Sequence, residues 1–188
     1  MLANRLNAIK PSPTVVVSNL AEQLKREGKD VINLGEGEPD FDTPDHIKEA
    51  AVKAIADNRT RYTQVDGIDE LKRAVVEKFA RENNIECCPH SVTVGSGAKH
   101  VIYNAFMATL NPEDEVLIPA PYWVSYPDMV LLAGGVPVPI DCTADARLKL
   151  RAEQLEAAIT PRTKWLVMNS PSNPAGATYS KQELLELA

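Results

Sequence analysis

From Ser91 onward the apolar positions switch between two periods. Val92–Val94, Glu115–Ile118, Val136–Ile140 and Lys164–Met168 are short apolar or β-branched runs bounded by Gly, Pro and Asn, the pattern of buried strands. Lys99 to about Leu110, the stretch after Trp123 to about Ala133, and Glu153–Ile159 carry apolar residues at helical spacing. Alternating strands and helices predict an α/β layered domain with a largely parallel sheet. Upstream, the pattern predicts a helix over Thr14–Arg26 and a strand at Val31–Leu34. Thr43 is the expected cap of a further helix, with Pro44 at its first position. Ile47, Ala50, Ala51, Ala54 and Ile55 share one face of it, and Ile68, Leu71, Val75 and Phe79 define another amphipathic helix. Ser180-x-x-Glu183 is a capping box opening a helix that reaches Ala188 without a C-cap signal. Residues 1–188 are therefore expected to be a fragment of a longer chain.

The strands hand over to helices through loops rich in small and polar residues. In open α/β sheets that carboxyl edge is where ligands bind. Gly95-Ser96-Gly97-Ala98 reads equally as a tight turn or as a phosphate cradle. Glycines bring the backbone close, and a helix start offers unpaired N–H groups. Pro121-Tyr122-Trp123 puts an indole at a strand end, where it either stacks on a flat ligand or packs in the core. Asn173 stands between Pro171 and Pro174, which fix φ and remove two donors. In Gly35-Glu36-Gly37-Glu38-Pro39-Asp40, the Gly37 backbone is able to meet a carboxylate, although turn chemistry alone explains the glycines. The acids read as a solvated loop rather than a metal site. A dinucleotide fingerprint fails because His100 stands where a third glycine is needed, and no P-loop is present. His46, His90 and His100 have no partner at catalytic spacing.

Composition narrows the partners. The 188 residues are 44% hydrophobic and 24% charged, with net charge −6 and no basic stripe, so nucleic acid is not expected. The apolar runs are too short to span a bilayer, and the first ten residues hold no signal-peptide core. Cys87, Cys88 and Cys142 lack metal-ligand spacing and read as reduced thiols, giving a cytoplasmic expectation.

Taken in order, Gly37-Glu-Pro-Asp40, Arg61-Tyr62 with Gly67, Ser96-Gly-Ala98, Pro121-Tyr-Trp123 and Asn173-Pro-x-Gly176 resemble the amino-terminal half of a fold-type I, pyridoxal-phosphate-dependent class I aminotransferase of the bacterial aspartate type. The resemblance runs from Ile9 to Ala188. It implies a large domain of the pyridoxal-phosphate transferase fold, incomplete here over residues 46–188, preceded by an arm and part of a small domain over 1–45. It implies that the backbone of Ser96, Gly97 and Ala98 holds the phosphate of pyridoxal 5'-phosphate. Trp123 would stack on the ring, and Asn173 would bond its phenolic oxygen. Gly37, Trp123 and Asn173 would meet the substrate's α-carboxylate region, with Lys99 and Thr14 as candidates for a distal carboxylate. Tyr62 would reach the neighbouring subunit's phosphate in a homodimer. The implied reaction moves an α-amino group from L-aspartate or a related amino acid to a 2-oxo acid such as 2-oxoglutarate. The family's Schiff-base lysine has no counterpart here, and Lys181 reads as a first-turn surface residue, so the chain alone is expected to be inactive. A lyase of the same fold, or a non-catalytic degenerate copy, remains as an alternative. Ala120–Pro121 and Asn173–Pro174 are expected to be cis.

Overall fold

The computed structural model describes residues 2–35 and 37–188, and the chain packs as two compact units. One comprises residues 1–20 with 102–188, the other residues 21–101.

The first unit is built on three parallel strands in the order β2-β1-β3, where β1 is Glu115–Ala120, β2 Val136–Asp141 and β3 Thr163–Leu166. Parallel neighbours need a helical crossover. Helix α5 (Ser125–Leu132) joins β1 to β2, and α6 (Ala152–Ala158) lies between β2 and β3. Side chains alternate across β1. Val116 and Ile118 enter a core with Phe106 of α4 (Ala98–Thr109), Leu110 just after that helix, and Tyr126, Met129 and Val130 of α5. Leu117 enters the opposite core with Ile140, Cys142, Leu150 and Leu155. Phe106 and the Trp165 ring meet edge to face at 5.5 Å. The pairing of β1 with β3 slips between Glu115 and Val116, whose partners are Thr163 and Trp165, so Lys164 is an extra residue. Glu115 is buried beside this bulge. Its carboxylate accepts from Thr160 Oγ1 at 2.6 Å and from Arg162 Nε and Nη2 at 2.9 and 2.5 Å. Those bonds, the Thr160 hydroxyl first, hold its carboxyl below the usual range. The capping box forms as expected. Ser180 Oγ accepts the Glu183 N–H at the start of α7 (Lys181–Leu187), and Glu183 accepts the Ser180 N–H at 2.7 Å.

The second unit holds the end of α1 (Pro13–Arg26, which begins in the first unit), α2 (Asp45–Ala56) and α3 (Asp69–Lys78). Several local expectations change here. Val31–Leu34 forms no strand, with Ile32 and Leu34 exposed; among the described residues no neighbouring strand pairs with it. Val92–Val94 likewise joins no sheet; the Val94 N–H bonds instead to Asp66 O at 2.9 Å. Pro44 rather than Thr43 takes the cap position of α2, with no side-chain capping bond, and the predicted apolar face of α2 has no buried residue. Both expected cis bonds are present, with a third at Ser170–Pro171.

Candidate functional site

The carboxyl ends of β1 and β3 lie side by side, so Pro119–Trp123 and Asn169–Gly176 emerge at one edge of the first unit. Pro121, Tyr122, Asn169, Asn173, Leu148 and Tyr179 line a narrow cavity of about 20 Å³ there. That is room for about one water. The Asn173 loop is held from within. The Asn173 N–H donates to Asn169 Oδ1 at 2.9 Å, the Ser172 N–H to Ala177 O at 2.9 Å, and the Gly176 N–H to Ser172 O at 2.7 Å. The Asn173 side chain is exposed, and its amide has no partner among the described residues. Trp123 is half-buried, its ring edge to face with Tyr126 at 5.3 Å. Burial raises the Tyr126 and Tyr179 hydroxyls, so both keep their protons at neutral pH. Tyr179 accepts the Leu150 N–H at 2.7 Å, which ties the far side of the cavity to the segment after β2. Thr14 belongs to this unit and stands half-buried in the first turn of α1.

The other expected site residues belong to the second unit. Gly95-Ser96-Gly97 leads directly into α4. Gly97 sits at φ +90°, and no atom lies within 4 Å of where its Cβ would be, so a ligand can approach the backbone there. The N–H groups of Ala98 and His100 have no partner among the described residues, as the first turn of a helix dictates. The other two loop amides are engaged inward. The Ser96 N–H donates to His100 Nδ1 at 3.0 Å, and the Gly97 N–H to Gly95 O at 2.9 Å. The loop is anchored below by Lys72, a buried cation bonded to Asp66 at 2.7 Å, whose carbonyl takes the Val94 N–H. This bond holds the Asp66 carboxyl low and the Lys72 ammonium high. Gly37, Tyr62 and Lys99 are exposed.

Each unit by itself offers residues suited to one part of a phosphate-bearing aromatic cofactor. An open glycine backbone leads into a helix start in one unit. In the other, an indole and an unpartnered amide stand at one sheet edge. Among the described residues no group of three or more metal-ligating side chains occurs, and no helix is long and apolar enough to cross a membrane; Glu36 lies outside the described residues. Asn169 and His100, which orient Asn173 and Ser96, were not legible as partners. Their signal is the affinity of a short polar side chain for backbone groups a few residues away.

A family model described as aminotransferase class I and II matches residues 29–188. The chain is 62% identical to the aspartate/prephenate aminotransferase of Cereibacter sphaeroides over 186 residues, covering 99% of this chain and 46% of that protein. It is 60% identical to a probable aspartate/prephenate aminotransferase of Rickettsia bellii, over its whole length and 47% of that relative. Among solved structures, the aspartate aminotransferase of Rhizobium meliloti superposes with TM-score 0.95 at 51% identity, and the Thermus thermophilus aspartate aminotransferase with maleate at 0.95 and 48%. All of this chain is covered in both, against 47% and 49% of the solved chains. The chain thus spans about half the length of the relatives it matches.

Proposed function

The chain belongs to the class I and II aminotransferases, and from that premise we propose that it forms the phosphate- and ring-holding part of an enzyme using pyridoxal 5'-phosphate. The reaction is transfer of the α-amino group of L-aspartate, or a related amino acid, to a 2-oxo acid such as 2-oxoglutarate. The relatives named for aspartate and prephenate support this substrate class, as does the related structure with maleate, a four-carbon dicarboxylate.

The observation that carries the reading is the sheet edge where Tyr122 and Asn173 line one cavity, Trp123 follows in chain, and the Asn173 amide is left unpartnered. In this reading the Ser96–Ala98 backbone holds the phosphate and the Trp123 indole covers the ring. The Asn173 amide donates to the ring's phenolic oxygen. Gly37 meets the α-carboxylate region, while Lys99 and Thr14 face a distal carboxylate. When bound, the cofactor supplies the electron sink for chemistry at the substrate's α-carbon. The chain's own residues bind, orient and exclude water. Tyr62 serves the neighbouring subunit of a homodimer. Residues 1–45 form the arm and part of a small domain, and 46–188 part of the large domain. The setting is the cytoplasm.

Residues 1–188 alone bind without turnover, because the resemblance assigns no tethering lysine among them. The test is titration with pyridoxal 5'-phosphate and with pyridoxal, followed by borohydride reduction, peptide mapping and an assay with L-aspartate and 2-oxoglutarate. Preference for the phosphorylated ligand, no single reduced lysine and no turnover are expected. Equal binding of the two ligands sinks the site assignment. Stoichiometric reduction onto one lysine, or measurable turnover, sinks the claim of inactivity.

A further inference from the structure

The Ser96 amide, one of three assigned to the phosphate, is already in use. Its N–H donates to Nδ1 of His100, the third residue of α4. The imidazole lies directly on Gly95. A Cβ at that position would stand 3.2 Å from Nδ1, 3.6 Å from His100 Cγ and 2.7 Å from Val101 Cγ2. A glycine at 95 is what lets the ring and Val101 close so near the loop. An Nδ1 that accepts carries no proton, so in the neutral ring the proton is on Nε2. His100 rides on the first turn of a helix, which presents Nδ1 to the Ser96 amide.

We infer that His100 is a built-in competitor for the phosphate at its own cradle. The inference rests on the reading of Ser96–Ala98 as the phosphate site. Binding there is then an exchange. The Ser96 N–H···Nδ1 bond breaks, an N–H···O–P bond forms, and the imidazole is released. The new bond is charge-assisted and the stronger of the two. The old one still subtracts from the observed affinity. In return His100 keeps the Ser96 amide satisfied and the loop in shape before the ligand arrives.

The test uses the purified 188-residue chain as wild type, His100→Ala and His100→Phe, titrated calorimetrically with pyridoxal 5'-phosphate, pyridoxal and inorganic phosphate. Removing one neutral hydrogen bond from the unbound side should tighten the phosphorylated ligand and inorganic phosphate roughly three- to tenfold. Pyridoxal binding should not change. Phe keeps a ring over Gly95 without the acceptor, so both variants should tighten alike. Unchanged or weaker phosphate binding in the variants overturns the inference, as does tightening in the Ala variant alone, which would assign the effect to ring bulk. Wild-type chain that binds pyridoxal as well as its phosphate fails at an earlier point: the phosphate site itself is then wrong, and the competitor falls with it.

Discussion

Gly67→Ala separates two reasons for keeping a glycine. Gly67 sits at φ +110°, which an L side chain rarely adopts, and its missing Cβ would stand 2.6 Å from Val94 Cγ2 and 2.9 Å from Val94 Cβ. Val94 cannot simply turn away, because its N–H is held by Asp66 O, one residue before Gly67. The backbone strain costs about 1–2 kcal/mol. Relieving the overlap by moving Val94 costs about 1–3 kcal/mol more. The expected loss of stability is thus roughly 2–5 kcal/mol. Gly28 is the control. It has φ +80° and no atom within 4 Å of its would-be Cβ, so Gly28→Ala carries only the strain. Urea unfolding followed by circular dichroism gives both values. Trp123 and Trp165 lie in the other unit, so their fluorescence tells whether the damage stays local. Equal losses for the two alanine variants would refute the overlap, and a loss below about 0.5 kcal/mol for Gly67→Ala would refute the strain as well.

Phe106→Ala empties the centre of the core that also holds Val116, Ile118 and Val130; it should cost about 3–5 kcal/mol by thermal or urea unfolding and shift Trp165 emission, since the indole loses its edge-to-face partner. Acid should loosen α7. The Lys149 ammonium first, then the Ser180 N–H, lower the Glu183 carboxyl from 4.5 to about 2. A depressed carboxyl stabilises the folded state above its unfolded value, and that contribution fades as pH falls from about 4.5 to about 2. Acid titration should show this loss in wild type and a flatter profile in Glu183→Gln.

Elements with a complete local signal were legible in the sequence. The capping box of α7, the helix after Gly97 and the three strands 115–120, 136–141 and 163–166 all form within a residue or two of expectation. Val31–Leu34 and Val92–Val94 have equally good strand composition, yet neither pairs. A strand exists only where a neighbour accepts its hydrogen bonds, and no residue within the segment encodes that neighbour. The site divides the same way. Asn173 and Trp123 stood out through their prolines and their place after a strand. The Asn169 and His100 contacts did not, because a side-chain-to-backbone bond depends on the final turn of the loop. Cys142 shows the limit of composition: it reads as an ordinary thiol and lies buried, its thiol raised by desolvation.

The bulge at Lys164 sets a length standard for the sheet edge. Downstream of it Val116 faces Trp165, Leu117 faces Leu166, and the Val167 N–H still reaches Leu117 O at 2.9 Å. Counting forward from those pairs places Pro121 and Tyr122 across from Ser170 and Pro171, where the Asn173 loop begins. Without the extra residue the whole run would slide one position along β1, a step of about 3.3 Å. That exceeds the tolerance of any hydrogen bond. It would also turn the Trp165 side of β3 toward the wrong core. The alignment of two loops at one end of the sheet is thus metered at the other, by a single inserted residue beside Glu115 and its bonds to Thr160 and Arg162.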